Sequence, residues 1–302
     1  MELFRQRFTA MASPCELRCY ADEATAAQGA LDAAEAEVRR IETKYSRYRE
    51  DSIVSRINAA AGSGNAVAVD DETAALLDYA ATVFEQSDGR FDITSGVLRR
   101  AWDFRRQRVP AQSEVDALLP LIGWQRVEWA SPHIHLSRAG MQLDFGGFGK
   151  EYAVDRAVAV LEAHGIAHGM VDLGGDVRVV GPHPDGSAWR VGVSHPQQPD
   201  TAIARVDLRT GAIATSGDYH RAFIVDGRRY SHLLDARTGW PVANTFASAS
   251  ALAPRCLIAG SASTIAMLHG PDAAEWLRAL GLPWLTVRHD LSLAGNAVAQ
   301  AA

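Results

Sequence analysis

The stretch LDFGGFGK, residues 143–150, stands directly before a run with helical periodicity at about 149–164. Its glycines let a backbone approach a ligand closely, and the N-terminus of a helix offers free N–H groups and the positive end of a dipole. Lys150 adds a charge suited to a phosphate, and Asp144 can accept hydrogen bonds. The spacing is neither a Walker loop nor the dinucleotide fingerprint. A Gly-rich strand-to-helix turn with a surface lysine therefore explains this stretch as well as a ligand site does.

Outward from this stretch, the hydrophobic pattern predicts an α+β fold with mainly antiparallel strands and flanking helices. The predicted helices cover 23–45, 71–86, a short segment after Ser113, 149–164, 256–268 and 272–280. The predicted strands cover 2–9, 15–20, 126–129, 134–136, 141–144, 169–173, 176–181, 188–193, 203–208, 221–225, 246–252 and 284–288, with a turn at Ser13-Pro14. Neither a repeat nor a low-complexity linker interrupts the chain, so we expect a single domain over residues 1–302.

The composition is that of an ordinary globular protein, with 302 residues, 47% hydrophobic and 22% charged. The net charge of −6 argues against a nucleic-acid-binding protein that works through bulk positive charge. The N-terminal sequence MELFRQRFTAMASPCELRCY has no apolar run long enough for a signal peptide, and no later run approaches a membrane-spanning length. We therefore expect a cytoplasmic protein that does not span a membrane.

Three cysteines occur in the chain. Cys15 and Cys19 are four residues apart on a predicted strand, so both should face the same side of the sheet. No histidine or further cysteine lies nearby in the sequence to complete a metal site. We expect core thiols at both positions, and the number and spacing of cysteines, including Cys256, imply no disulfide framework.

Two further segments gather glycine, aspartate and hydroxyl residues. VDLGGDVRVVG, residues 171–181, predicts a tight hairpin or bulge, with a backbone wall beside a cofactor as the alternative. In ATSGDYHRAF, residues 214–223, Thr215, Ser216 and the N–H groups around Gly217 would be able to hold phosphate oxygens in a nest. A polar turn between strands is the simpler explanation of that segment in isolation.

Two later segments carry candidate chemistry. His232 lies in YSHLLDARTGWP, residues 230–241, where it is either a hydrogen-bonded structural residue or a general acid or base. A Ser-His-Asp hydrolase triad has no nucleophile-elbow sequence to support it. LIAGSASTIAML, residues 257–268, predicts a helix that opens with small and hydroxyl residues. These residues indicate either close helix packing and capping or hydroxyl ligands for a hard cation such as Mg²⁺.

Taken together, the segments resemble the ApbE family of FAD:protein FMN transferases, in that family's order, from Met11 to about Gly270. The specific pieces are YSRYREDSIVSRIN (45–58), GRFDITSGVL (89–98), LDFGGFGK (143–150), VDLGGD (171–176), ATSGDY (214–219) and YSHLLDARTGWP (230–241). The resemblance implies the ApbE-type flavin transferase fold and an enzyme that splits FAD at its pyrophosphate. It further implies Mg²⁺, a partner flavoprotein that accepts FMN on a Thr or Ser hydroxyl, and AMP as the second product.

The resemblance also implies roles for individual residues. The positions that match FAD contacts are Met11, Tyr48, Phe91, Asp92, Ile93, Asp144, Lys150 and Leu234. Gly147 matches a backbone-carbonyl ligand of the magnesium, Thr264 matches a side-chain ligand, and Ser263 neighbours it. His232 matches a histidine near the reacting phosphate and would help to deprotonate the acceptor hydroxyl. Lys150 and the Thr215–Gly217 backbone are candidates to stabilise the phosphate charge. Asn58 is the last residue of the segment 45–58, and we expect it to have a mainly structural role.

The chain departs from the family pattern at a metal position. The family usually has Asp where this chain has Gly260, which removes a carboxylate ligand and predicts weaker metal affinity. A carrier or chaperone that binds FAD without transferring FMN is therefore the alternative function, and FAD hydrolysis with water as acceptor is a third. Milder departures are Ala12-Ser13 for Gly-Thr, Glu151 where Gly is usual, and Ala236 for Pro.

Overall fold

The computed structural model of the chain describes residues 1–198, 200–219, 221–243, 246–297 and 299–301. Its helices are α1 (Ala24–Tyr45), α2 (Ile53–Ala59), α3 (Asp71–Gln86), α4 (Gln112–Asp116), α5 (Gly149–Ala163), α6 (Cys256–Leu268) and α7 (Ala273–Leu280). Its strands are β1 (Glu2–Ala10), β2 (Ser13–Ala21), β3 (Val67–Ala68), β4 (Val127–Ala130), β5 (His133–Leu136), β6 (Gly169–Leu173), β7 (Asp176–Gly181), β8 (Trp189–Ser194), β9 (Ala202–Leu208), β10 (Ala212–Gly217), β11 (Ala222–Val225), β12 (Arg228–Ser231), β13 (Phe246–Ala253), β14 (Trp284–Arg288), β15 (Leu293–Gly295) and β16 (Ala299–Ala301). Two 3₁₀ turns that bear on the site are Ile93–Arg100 and Phe145–Gly147.

Eight antiparallel strands form the central sheet, in the order β1-β2-β6-β7-β10-β13-β14-β15. Alternate residues of a strand face opposite sides. In β10, Ala212 and Ala214 join the core beneath α1, α5 and α6, whereas Ile213 joins the core on the other face. The second core is closed by the three-stranded sheet β16-β9-β8, which contributes residues such as Trp189 and Val206. The sheet is therefore buried on both sides.

Small residues bring α6 close to the sheet. Ala259, Gly260, Ala262 and Ser263 are all buried on this helix. They pack over β10 and β13, whose residues on this face are also small, for example Ala251. Because short side chains shorten the distance between backbones, the hydroxyls of α6 lie within reach of those of β10.

An ion-pair hub at Glu72 joins three helices. Arg40 and Lys44 of α1 and Tyr152 of α5 all donate hydrogen bonds to the Glu72 carboxylate of α3, Arg40 at 2.6 Å and Tyr152 at 2.8 Å. Burial by itself would raise the pKa of Glu72, but these donors outweigh it and lower the pKa to about 2. The hub holds the first turn of α3 against both neighbouring helices.

Much of the element pattern predicted from the sequence is confirmed, including the α+β class. The helices at 23–45, 71–86, 149–164 and 256–268 agree with α1, α3, α5 and α6 within two residues at each end. Cys15 and Cys19 are buried on the same face of β2, and all three cysteines are free thiols. None of the helices in the described part of the chain is long and apolar enough to cross a bilayer.

Other predictions are wrong at this level. The predicted strand at 141–144 is an irregular segment. In the segment 214–223, residues 214–217 belong to strand β10, so the polar turn predicted there begins only after Gly217. The first hairpin turns at Met11 and Ala12, which adopt positive φ of 51° and 57°, rather than at Ser13-Pro14. The last predicted strand is 284–288, but two further strands, β15 and β16, follow it. His220 of the ATSGDYHRAF segment lies outside the described residues.

Candidate functional site

The Gly-rich segment before α5 is held in place by hydrogen bonds to a side chain and to a backbone carbonyl that are distant in the sequence. Asn58 forms two hydrogen bonds with the backbone of Leu143, donating to the carbonyl at 3.1 Å and accepting from the N–H at 2.6 Å. The Asp144 N–H donates to the Ile93 carbonyl at 2.8 Å. The structural role predicted for Asn58 is thereby confirmed, because its amide replaces a neighbouring strand for residue 143. Three of the quoted segments meet at this point.

Asp144 is held in an ion pair that the sequence did not indicate. Its carboxylate accepts from the guanidinium of Arg47 and from the N–H of Gly146 at 2.9 Å. Arg47 in turn lies over the ring of Tyr48, 4.9 Å from its centroid, and donates to the Tyr48 hydroxyl. Tyr48 is 81% exposed, which leaves its ring available for stacking with a ligand. Arg47 belongs to the segment 45–58, which the sequence singles out, but the sequence does not indicate that Asp144 is its partner.

Aromatic rings close the other side of the Gly-rich turn. Phe91 and Phe148 stack with ring centroids 6.1 Å apart. A Cβ built on Gly147 would lie 2.6 Å from Cζ of Phe91, closer than real Cβ contacts allow. Any side chain at position 147 would therefore have to displace the Phe91 ring, against which the Gly147 backbone lies directly. Ile93, two residues further on, is buried.

Asp92 is already fully engaged by protein donors. One carboxylate oxygen accepts from the N–H and hydroxyl of Thr94, and the other accepts from the N–H of Trp124 at 2.8 Å. Burial raises the pKa of Asp92, and these hydrogen bonds oppose that rise. In this structure the residue caps the 3₁₀ turn Ile93–Arg100, and its predicted contact with FAD stays a prediction.

Lys150 is paired with Asp176, a residue of the VDLGGD segment. The ammonium lies 2.7 Å from the Asp176 carboxylate, which also accepts from the Thr215 N–H at 3.2 Å. Burial alone would lower the pKa of Lys150, but Asp176 and Glu151 outweigh it and raise the pKa. Lys150 therefore carries its charge at neutral pH and joins the Gly-rich turn to two strands of the sheet.

The turns of two hairpins meet beside this lysine. A Cβ on Gly174, whose φ is +63°, would lie 2.9 Å from the Ser13 hydroxyl and 3.4 Å from the Lys150 ammonium. Met11 lies in the same hairpin turn as Ser13, and its backbone N–H donates to the Glu42 carboxylate of α1. Met11 and Lys150 therefore lie at one edge of the site.

A cluster of hydroxyls connects β10 with α6. The Ser216 hydroxyl lies 3.0 Å from that of Ser263 and 2.7 Å from that of Thr264. Ser263 also donates to the Gly260 carbonyl at 2.9 Å. Thr215, on the opposite face of β10, pairs with Ser250 at 2.7 Å. Because Thr215–Gly217 is paired strand rather than a turn, it forms no nest of the predicted kind.

Glu151 lies between the lysine pair and the hydroxyl cluster. The side chain is only 8% exposed, and burial together with Asp176 raises its pKa to about 8. A Cβ built on Gly260 would lie 2.8 Å from both the carboxyl carbon and Oε1 of Glu151. The Glu151 carboxyl group therefore fills the space in which a side chain at position 260 would lie. Positions 151 and 260 both depart from the family pattern, but the sequence alone gives no indication that the two residues are in contact.

Asp155 fixes the start of α6 relative to α5. Its carboxylate accepts from the backbone N–H groups of Cys256 at 2.9 Å and Leu257 at 3.0 Å, and from Arg178 at 2.8 Å. Both ionic side chains are about nine-tenths buried. This residue was not among the candidates, since nothing local distinguishes a capping aspartate one turn after Glu151.

The last segment attaches to the others through its backbone. The Ala236 N–H donates to the Arg90 carbonyl at 3.1 Å, Leu234 forms an isolated bridge with Pro241, and the His232 N–H donates to the Arg221 carbonyl at 3.0 Å. A cavity of about 790 Å³ opens where segments 89–98 and 230–241 meet. Among the predicted site residues, Asp92 lies on its lining.

The donor set suits a hard cation rather than a soft one. Ser263, Thr264 and the Gly147 backbone supply neutral oxygens, and Glu151 supplies a buried carboxylate, the ligand types that Mg²⁺ prefers. Within the residues that the structure describes, no group of three or more His, Cys, Asp or Glu side chains is arranged to hold a metal ion. A cation here would therefore complete its shell with water or phosphate oxygens.

The fold and these contacts define an α+β protein with a Gly-rich turn, a lysine paired with Asp176, and hydroxyls clustered between β10 and α6. The model described as the ApbE family matches residues 11–285, and the chain belongs to that family. A relative from Treponema pallidum called FAD:protein FMN transferase is 32% identical over 278 residues, covering 85% of this chain and 76% of the relative. One of the same name from Vibrio cholerae is 30% identical over 241 residues, covering 78% and 72%.

Solved structures agree with the family assignment. The crystal structure of the ApbE protein from Thermotoga maritima is similar with a TM-score of 0.88 and 30% identity, covering 98% of this chain and 97% of that one. The apo form of the Pseudomonas stutzeri flavinyl transferase ApbE has a TM-score of 0.86 and 28% identity, covering 98% and 95%. The predicted ApbE-type fold is therefore confirmed.

Proposed function

We propose that this protein is a Mg²⁺-dependent FAD:protein FMN transferase that attaches FMN to a Thr or Ser hydroxyl of a partner flavoprotein and releases AMP. Family membership and the names of the relatives support the flavin-transfer activity. Clustered oxygen donors support the metal requirement. AMP as the second product follows from cutting FAD at its pyrophosphate, and the Thr or Ser acceptor is what the family resemblance implies.

The observation that carries the proposal is the joining of all six quoted segments through direct contacts. Arg47 pairs with Asp144, and Asp144 bonds the backbone of Ile93. Lys150 pairs with Asp176, and Asp176 accepts from the Thr215 N–H. The segment 230–241 joins through the hydrogen bond between Ala236 and Arg90. Segments spread over residues 45–241 are therefore connected to one another, and this supports their acting together on a single extended ligand.

In the proposed reaction, the acceptor oxygen forms a bond to the FMN phosphorus while the bond from that phosphorus to the oxygen of the AMP phosphate breaks. The proton of the acceptor hydroxyl passes to His232, and the electron pair of the broken bond leaves on AMP. The positive charge of Lys150 raises the local potential where negative charge grows on the phosphate oxygens. Gly147 lets the Gly-rich turn pack directly against the Phe91 ring, which fixes the position of this backbone. Bound Mg²⁺ would supply Lewis-acid stabilisation of the same phosphate oxygens.

The direct test incubates the protein with FAD, Mg²⁺ and a candidate acceptor flavoprotein. The proposal predicts flavin fluorescence that stays on the denatured acceptor, an increase in acceptor mass equal to FMN less water, and one AMP for each FMN transferred. The matched control is the same acceptor with its flavinylated Thr or Ser changed to Ala, which should stay unlabelled.

Two other results would replace the proposal. AMP release without any labelled acceptor would identify FAD hydrolysis with water as the acceptor. Tight FAD binding with neither product, tested against several acceptors, would identify a carrier that holds FAD without cutting it.

A further inference from the structure

Among the described residues, the buried carboxyl group of Glu151 has no cationic partner of its own, because the adjacent Lys150 is paired with Asp176. It lies near its own backbone N–H, and no other residue in the described part of the chain hydrogen-bonds it. The neighbouring carboxylates are both satisfied, Asp176 by Lys150 at 2.7 Å and Asp155 by Arg178 at 2.8 Å. Three carboxyl groups therefore face two cationic side chains, so the third needs either a proton or a bound cation. Burying an unpaired charge is strongly unfavourable unless a proton or a cation accompanies it.

The surroundings of this carboxylate are oxygen-rich. Glu151 packs on Gly260, and Thr264 lies one helical turn further along α6, on the same face of that helix. Ser216 brings a second hydroxyl to Thr264 at 2.7 Å. Gly147, which ends the turn before α5, lies four positions before Glu151. Carboxylate, hydroxyl and carbonyl oxygens of this kind are ligands for a hard divalent cation, and none of them suits a soft metal.

We infer that Glu151 is the anionic ligand of the divalent cation in this protein and that it reaches the site from α5, through the space left open by Gly260 on α6. The two unusual positions form one unit: glycine at 260 makes room, and glutamate at 151 fills that room with its carboxyl group. The loss of a carboxylate at 260 is therefore a relocation of the charge and not a removal. The expectation of weakened metal binding from Gly260 alone is revised accordingly.

The inference rests on the proposed function only for the phosphate oxygens that would complete the metal shell. Its test is Mn²⁺ binding to the full chain, measured by the EPR signal of free Mn²⁺, with and without FAD. Glu151→Gln keeps the size of the side chain and removes its charge. The matched control is Glu162→Gln, which removes an exposed carboxylate at the far end of the same helix. We expect at least a tenfold weaker Mn²⁺ affinity in Glu151→Gln and no change in Glu162→Gln.

A charge-exchange variant, Glu151→Gly together with Gly260→Asp, tests the relocation itself. It places a carboxylate on α6 and clears the space on α5, so we expect Mn²⁺ affinity within about threefold of the wild type. Wild-type affinity in Glu151→Gln, or an exchange variant as weak as Glu151→Gly alone, would overturn the inference and leave protonation as the way this carboxyl is neutralised. Circular dichroism of each variant confirms folding.

The two proposals fail in different ways. Mn²⁺ binding that depends on Glu151 in a protein that transfers no FMN leaves the metal ligand standing and removes the transferase function. FMN transfer by a protein whose Mn²⁺ affinity does not change in Glu151→Gln would support the transferase function and exclude Glu151 as the metal ligand.

Discussion

Replacing Asp155 with Asn should strongly destabilise the protein. One oxygen of this carboxylate accepts from Arg178 and Cys256, and the other accepts from the Leu257 N–H. An amide keeps one acceptor oxygen and places an NH₂ group against at least one of these donors, while Arg178 loses its counter-charge. Breaking a buried ion pair by changing one partner costs about 3–5 kcal/mol. We expect the free energy of unfolding of Asp155→Asn to fall by about that amount.

The assay is equilibrium unfolding in guanidinium chloride followed by far-UV circular dichroism. Asp71→Asn is the control, because Asp71 is an exposed aspartate in the first turn of α3 and its loss should cost only about 0.3–1 kcal/mol. A decrease below about 1 kcal/mol for Asp155→Asn would refute the reasoning, since it would mean that the buried pair contributes no more than a surface one.

Three further perturbations follow from the geometry. The pKa of Glu72 is lowered to about 2 in the folded state from its usual value near 4.5, so its stabilisation is present above pH 4.5 and is lost as the pH falls toward 2. The free energy of unfolding of Glu72→Gln should therefore be about 1–3 kcal/mol lower than that of the wild type at pH 7. Between pH 4.5 and 3, the free energy of unfolding measured in urea should decrease less in this variant than in the wild type. Equal decreases in the two proteins would contradict this. Gly147→Ala forces a methyl group against Phe91 and should displace the Gly-rich turn, so FAD binding should weaken at least tenfold in a fluorescence titration. Unchanged binding would show that the contact between Gly147 and Phe91 does not position the FAD site. Thr264→Val removes a hydroxyl that bonds Ser216 and should raise the Mg²⁺ concentration needed for half-maximal transfer at least fivefold, with Thr264→Ser restoring it; a valine variant with wild-type Mg²⁺ dependence would exclude Thr264 as a ligand.

Local signals were sufficient for the elements whose pattern repeats along the chain. α1 buries Ala27, Leu31, Ala34, Val38 and Ile41 at helical spacing, so its sequence alone predicts its position. Periodicity was misleading at 141–144, where Met141 and Leu143 are buried in the alternating pattern that is typical of a strand. There the backbone is satisfied by a side-chain amide and a single carbonyl, and no alternation rule detects such partners.

Long-range pairing decided the elements that were mispredicted. The residues Thr215, Ser216 and Gly217 favour a turn locally, yet pairing with β13 makes them a strand. The Ser216 hydroxyl of that strand then reaches Ser263 and Thr264 of α6, which comes later in the chain. Family resemblance supplied the candidate residues, whereas the contact between Glu151 and Gly260 is set by the packing of α5 on α6 and has no signature in either segment.

The most direct test of the account is a crystal structure of the protein with FAD and Mn²⁺, read by the anomalous signal of the metal. We predict one Mn²⁺ within about 2.0–2.6 Å of a Glu151 carboxylate oxygen, with the Thr264 hydroxyl and an FAD phosphate oxygen in the same shell. A metal bound elsewhere, with Glu151 still buried against Gly260 and no phosphate near it, would contradict the central claim.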